Sequence, residues 1–211
     1  AIADDDGLAF AVRMQGNDLF QELRLRMHDV FHRLPRHGVG QKADEIAGVA
    51  RAQGHAVREL RLGQLDFDPS LHEGYRQVQP LEADLLAAQE AILWAEHLVF
   101  AYPIWWGGAP ALLKGFVDRV FLPGFAFKYR PGKAFPAQLL KGRTAQLLVT
   151  MDTPPWYFRW VYHMPGIHQL RKTTLEFCGV KPVKVASFGP MINSTEAQRQ
   201  RWLEQAQTLA R

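Results

Sequence analysis

The sequence predicts an α/β protein built on a doubly wound parallel sheet. Three observations carry that prediction. From Ala43 onward, helix-like and strand-like segments alternate, as right-handed crossovers between parallel strands require. Two strand-like segments, "HLVFAYP" (97–103) and "RTAQLLVTM" (143–151), are short and nearly all apolar, the composition of strands covered on both faces. Prolines open the intervening helices at Pro80 and Pro110, and glycines close others at Gly54 and Gly179, matching the usual asymmetry of helix ends.

Taken in order, "ADEIAGVARAQGH" is the end of a helix with Ile46, Val49 and Ala50 on one face. "AVRELRL" (56–62) alternates as a strand, and "LDFDPSLHEGYRQVQP" reads as a loop. The helix from Pro80 turns Leu85, Ala88 and Ile92 inward; the helix from Pro110 buries Leu113, Phe116, Val117 and Val120. "DTPPWYFRWVYHMPG" is a long aromatic loop. Ile167, Leu170, Thr174 and Phe177 then trace a helix face up to Gly179. "PVKVASFGP" (182–190) is the last strand. Asn193 with Glu196 caps a final helix that buries Trp202, Leu203 and Leu209. Four strands are visible. The common five-stranded form of this sheet runs in the order 2-1-3-4-5, so the first strand is the one unaccounted for.

The bulk numbers fit this class. The chain has 211 residues, 47% of them hydrophobic, enough for one domain with a full core. Its formal charge of +4 is mildly basic, and no Lys/Arg run is dense enough for a nucleic-acid groove. The excess suits anionic small ligands. Cys178 is the one cysteine, so no internal disulfide forms and a reducing, cytoplasmic setting is expected. Its neighbours in "LEFCGV" are core-like, which marks it as a buried thiol. No apolar run approaches the roughly 20 residues that span a membrane. "AIADDDG" carries acids where a signal peptide is basic. His28, His32 and His37 show no metal-site pattern, and no metal is expected. Asp118 and Arg119 read as a solvated or dimer-contact pair.

In a doubly wound sheet, ligands bind beyond the carboxyl ends of the strands. Two loops leave such ends with unusual chemistry. In "YPIWWGGAP", Pro103 stiffens the strand exit, Trp105 and Trp106 offer flat faces, and Gly107 and Gly108 admit a ligand close to the backbone. In "TMDTPPWYF", Thr150, Asp152 and Thr153 offer polar groups, and Trp156 and Tyr157 offer rings. Together they would frame a flat, anionic aromatic ligand such as an isoalloxazine ring.

"LVFAYPIWWGGAPALLKGFVDRVFLPGFAFKY" resembles the flavodoxin-like NAD(P)H:quinone oxidoreductases. These include mammalian quinone reductases, modulator of drug activity B, and ancillary subunits of potassium efflux systems. The resemblance runs from about Ala43 to the C-terminus. It implies a flavodoxin-like fold, a homodimer, and tightly bound FAD, with FMN as the alternative. It implies NADPH or NADH as hydride donor and a quinone or other small aromatic acceptor, served in turn by one pocket in a ping-pong cycle. Carried over by residue, Pro103, Ile104, Trp105, Trp106 and Gly107 would line the flavin. Thr150, Met151, Asp152 and Thr153 stand where the family has a Thr-Thr-Gly-Gly-like loop, without its glycine pair. The family's catalytic tyrosine and histidine correspond to Tyr157 or Tyr162 and to His168 of "PGIH". They would stabilise charge near the flavin's pyrimidine edge or relay a proton. "FLPGFAFKYRPGKAF" would lie over the partner subunit or over the pocket rim. An efflux-type ancillary subunit with weak or lost catalysis is the alternative reading.

Residues 1–42 depart from this family. It expects a strand followed by a glycine-containing loop that holds the flavin phosphate at a helix start. Here "LAFAVRMQGND" (8–18) reads as a strand and turn, but helix-like "LFQELRLRMHDVFHRL" (19–34) intervenes. The codons for "HRLPRHGV" permit, one base over, Ile-Gly-Ser-Pro-x-Thr-Glu-Ser, which resembles the missing loop. A change of reading frame, a replacement and a truncation are all open readings. "RHGVGQK" (36–42) is a basic turn whose spacing fits no phosphate loop. Residues 1–42 thus form an atypical segment ahead of a flavin-binding domain at 43–211.

Overall fold

A computed structural model describes residues 8–13, 51, 54–74, 76–192, 194, 195, 197 and 198. The elements in order are β1 (Leu8–Arg13), β2 (Ala56–Arg61), α1 (Ala83–Trp94), β3 (His97–Pro103), α2 (Ala111–Val120), β4 (Phe127–Lys128), β5 (Ala137–Gln138) and β6 (Thr144–Thr150). There follow α3 (Pro155–Trp160), α4 (Pro165–His168), a π-helical stretch Gln169–Leu175, α5 (Glu176–Cys178) and β7 (Val183–Phe188). Most of the helix ending at Gly54, the final helix and the 36–42 turn lie outside the described residues.

The main sheet has the order β2-β1-β3-β6-β7. With the β4–β5 hairpin set aside, this is the expected 2-1-3-4-5. β3, β6 and β7 are parallel, with Phe100 opposite Leu147 and Leu147 opposite Val185. β1 fills the missing slot but runs antiparallel to both neighbours, with Phe10 opposite Glu59 and Val99. That direction corrects the all-parallel expectation. Residues 8–12 are all apolar, a run that by itself reads as a parallel strand covered on both faces, since side-chain pattern sets the face a strand buries and not the way it runs.

Helices α1 to α5 contribute to the core on one face of the sheet. Leu98, Phe100 and Tyr102 of β3 join Ala145, Leu147 and Val149 of β6 in one cluster. Leu85, Ala88 and Ile92 of α1 and Leu113, Phe116 and Val120 of α2 pack on them, with Ile167, Leu170 and Cys178. Burial pushes the Cys178 thiol up to about 12, consistent with a structural cysteine. No helix among the described residues is long and apolar enough to cross a membrane.

Two expectations about helices are corrected. The aromatic loop contains α3, opened by Pro155 at its first position, where a missing N–H costs nothing. In the helix after it, the buried residues are Ile167, Leu170, Leu175 and Cys178, and Thr174 and Phe177 are not among them. The π-helical stretch inserts one residue into the repeat and rotates the face. The Thr173 and Thr174 hydroxyls donate to Gln169 O at 2.8 and 3.2 Å, a back-bonding that opens a helical turn.

Arg119 is a third correction. It is fully buried. Its guanidinium donates to both carboxylate oxygens of Glu82, at 3.2 and 2.8 Å, to Pro80 O at 2.8 Å and to Asp68 O. It therefore pins the loop that leaves β2 against α2. Asp118 instead pairs with Lys114 at the surface.

His97, at the start of β3, is buried, with Nδ1 2.6 Å from Thr144 Oγ1. Burial, with Lys184 adding to it, lowers its pKa from 6.5 to about 4. The unfolded chain therefore binds the extra proton between those pH values, and stability falls as pH drops from 6.5 towards 4. A shift of that size corresponds to about 3 kcal/mol. Urea unfolding of wild type and His97→Asn across this window should give a shallower pH slope for the variant; equal slopes would remove His97 as the cause.

Candidate active site

The carboxyl ends of β3 and β6 lie side by side, with Pro103 opposite Thr150. Ile104 N–H donates to Thr150 O at 2.8 Å, so the two strand exits are tied before their loops diverge. The first loop then makes a two-residue reversal. Trp105 N–H donates to Gly108 O at 3.0 Å, and Gly108 N–H donates to Trp105 O at 2.9 Å. Trp106 and Gly107 between them have φ of 50° and 80°, the left-handed pair of a type I′ turn. Glycine takes that region freely, whereas tryptophan does so under strain, a feature that clusters at functional sites. The Trp106 indole is fully exposed and Trp105 is 43% exposed.

The second loop is strapped to the exit of β7. Met151 N–H donates to Phe188 O at 2.9 Å, and Met191 N–H donates to Met151 O at 3.0 Å. Asp152 Oδ1 accepts from Ile192 N–H at 2.8 Å. The Met151 side chain lies in the core and supports the loop from within. Thr153 is half-buried beside it. The N–H groups of Trp106, Gly107, Asp152 and Thr153 meet no acceptor among the described residues.

α3 brings up the aromatic groups. Phe158 anchors it in the core, leaving Trp156 and Trp160 exposed. The Tyr157 ring stands edge-on to Trp156 and to Tyr162, with centroids at 5.6 and 5.1 Å. Tyr157 and Tyr162 thus form one cluster. His163 and Met164 both have positive φ and turn the chain into α4. There Gly166 N–H donates to Gly107 O at 2.9 Å. A Cβ on Gly166 would meet Gly108 Cα at 2.7 Å and Gly107 O at 2.8 Å. This contact seats the start of α4 on the tryptophan turn and places exposed His168 two residues further on. Gly166 was not among the expected site residues; the glycine of "PGIH" was the one local hint.

Tyr102, one residue before Pro103, is fully buried, and its hydroxyl has no hydrogen-bond partner among the described residues. Burial raises its pKa, so it stays a neutral phenol. Between Arg119 and Leu175 the chain has nine Lys and Arg residues, and Asp152 is the one acid.

Exposed indoles and backbone amides without acceptors among the described residues stand beyond the carboxyl ends of parallel strands in a doubly wound α/β fold. Residues 30–210 match the family described as flavodoxin-like fold, and the chain belongs to it. Human ribosyldihydronicotinamide dehydrogenase [quinone] is 33% identical over 160 residues, covering 68% of this chain and 64% of that one. The chain thus spans less than two thirds of the human relative's length. An uncharacterized NAD(P)H oxidoreductase of Haemophilus influenzae is 29% identical over 168 residues, with 78% and 82% covered. Among solved structures, the NAD(P)H:quinone oxidoreductase of Methanothermobacter marburgensis shares the fold, with a TM-score of 0.61 at 22% identity, over 93% of this chain and 90% of that one.

Proposed function

We propose that the chain is a flavin-dependent NAD(P)H:quinone oxidoreductase acting as a homodimer. The observation that carries this reading is the joined pair of loops at 103–108 and 150–153. Four backbone N–H groups without acceptors and two exposed indoles fit the acceptor-rich edge and flat faces of an isoalloxazine ring. When bound, the flavin supplies two-electron hydride transfer between a nicotinamide and an acceptor. Trp105 and Trp106 hold the ring's plane, and the amides of Trp106, Gly107, Asp152 and Thr153 orient its polar edge. Tyr157, Tyr162 and His168 hold or deliver a proton at the ring's carbonyl oxygen. The aromatic surface of α3 receives the acceptor, a quinone or a similar flat molecule.

The residues present fit the ring but not a phosphate held after the first strand. β1 starts near the site, with Leu8 opposite Ala101, and ends at the far edge, with Val12 opposite His97. β1 therefore ends, at Arg13, at the end of the sheet opposite the site. This observation favours a second reading, an ancillary subunit with weak flavin affinity and little turnover. Reconstitution separates the two: purified protein should take up FMN or FAD, turn yellow and be bleached by NADPH or NADH. A chain that gains no flavin would sink the enzyme reading.

Within the enzyme reading, His168→Gln should slow flavin reduction by up to about 10²-fold, because one donor to developing charge is lost while others share it. Trp105→Ala should instead weaken flavin retention first. If His168→Gln releases flavin and leaves turnover per bound flavin unchanged, His168 is a structural residue of α4.

A further inference from the structure

The helical segment from Pro165 to Cys178 is anchored at both ends, and the two anchors are out of step. At its start, Gly166 N–H donates to Gly107 O at 2.9 Å and Ile167 is buried, so α4 is fixed to the tryptophan turn. At its end, Gln138 Nε2 donates to Glu176 O and Phe177 O, each at 3.1 Å. Leu140 N–H donates to Cys178 O at 3.1 Å. These bonds fix α5 to β5 and the residues after it. A Cβ at Gly179 would meet Gln138 Cβ and Lys141 Cγ, each at 2.9 Å, so this end has no room to slide. Between the anchors the buried residues are Leu170 and Leu175, five apart. An α-helix advances about 100° per residue, so five steps would leave Leu175 about 140° round from Leu170. The π-helical stretch Gln169–Leu175 takes up the difference by widening the turn.

Several bonds hold that wider turn. Glu176 N–H donates to Arg171 O, five residues back. The Glu176 carboxylate accepts from Arg171 Nε at 3.0 Å, again five back, and from Lys172 Nζ at 2.8 Å. Facing side chains on an α-helix are three and four apart, so the Arg171 pair fits the π register. At the other end of the stretch, the Thr173 and Thr174 hydroxyls both donate to Gln169 O, at 2.8 and 3.2 Å. That carbonyl belongs to the residue directly after His168. Thr173 is exposed and Thr174 half-buried, so the bonds of these hydroxyls, more than the bulk of the side chains, serve the helix.

We propose that Thr173 and Thr174 are positioning residues of the active site. By bonding Gln169 O they hold the extra residue in the helix, which keeps α4 seated on the tryptophan turn with His168 beside it. Without the hydroxyls the stretch tightens towards α-helical pairing. Because α5 is fixed at β5, the strain then falls on the α4 seat. That His168 serves a reaction rests on the proposed function; the dependence of the seat on the two threonines does not.

The test is amide hydrogen exchange in the full chain without flavin, followed by flavin reduction in the loaded protein. In Thr173→Val, Thr174→Val, Gly166 N–H should exchange at least about fivefold faster than in wild type, while amides of β3 and β6 keep their rates. Thr173→Ser, Thr174→Ser retains both hydroxyls and should restore the protection. Loaded at saturating flavin, the valine pair should be reduced about tenfold more slowly at saturating NADPH or NADH, with KM for the donor unchanged. The serine pair should recover the rate. In a His168→Gln background the valine pair should slow reduction by less than about twofold, since the residue it positions is gone. Unchanged exchange at Gly166, faster exchange spread over the whole sheet, no rescue by the serine pair, or a full slowing in the His168→Gln background would overturn the proposal. A chain that takes up no flavin would fail the proposed function, and exchange at Gly166 would still decide whether the threonines hold the seat.

Discussion

Gly166→Val should abolish flavin uptake, or weaken it by well over tenfold, while costing about 1–3 kcal/mol of stability through overpacking. The added side chain has nowhere to go. Its Cβ would stand 2.7 Å from Gly108 Cα and 2.8 Å from Gly107 O, and both are backbone atoms that cannot swing aside. Relief requires α4 to lift from the tryptophan turn, breaking the Gly166 N–H bond to Gly107 O. The four amides and the exposed indoles would then no longer share one frame with His168. Gly108→Ala is the control, since its Cβ meets Trp105 O at an ordinary 3.8 Å. Flavin titration and urea midpoints of both variants decide the matter. Normal flavin affinity in Gly166→Val would show that the α4 contact does not organise the site.

Arg119→Met should lower stability by about 3 kcal/mol or more, the usual cost of breaking a buried pair from one side. Methionine fills much of the volume, so the loss reports the polar partners left behind. These are the Glu82 carboxylate and the carbonyls of Asp68 and Pro80. Glu82 keeps about a third of its side chain exposed and is partly rescued by water, which places the expectation at the low end of the range. Removing Asp118, whose pair with Lys114 is about 40% exposed on both sides, should cost less than about 0.5 kcal/mol. Urea unfolding at neutral pH measures both. A loss below about 1 kcal/mol for Arg119→Met would mean that the β2–α1 loop holds without its arginine.

The core strands were legible because their signal is local. "HLVFAYP" is β3 to the residue, and Thr144–Thr150 and Val183–Phe188 lie inside the stretches expected for them. Continuous apolar runs bounded by Gly, Pro and charge mark a strand whatever surrounds it. The tryptophan loop was legible for a related reason. Two glycines and two indoles mark a tight reversal after a buried strand, and the two strand exits expected side by side do meet, with Pro103 opposite Thr150. Tyr157 and Tyr162 could not be separated by spacing, and in the fold their rings touch.

The sequence by itself determined where β3, β6 and β7 lie and which faces the helices at 83–94 and 111–120 bury. All of these follow from patterns within about ten residues. The tertiary structure alone decided the direction of β1, since side-chain pattern sets the face a strand buries and not the way it runs. It decided the burial of Arg119, because a charged residue goes inside only where distant acceptors converge on it, here Glu82, Pro80 and Asp68. It decided the shifted face of the helix after Gly166, where two threonine hydroxyls compete for one carbonyl. And it decided the seat of α4 on the tryptophan turn. That seat depends on the missing side chain at Gly166, whose backbone must come within van der Waals contact of Gly107 and Gly108, far away in the chain.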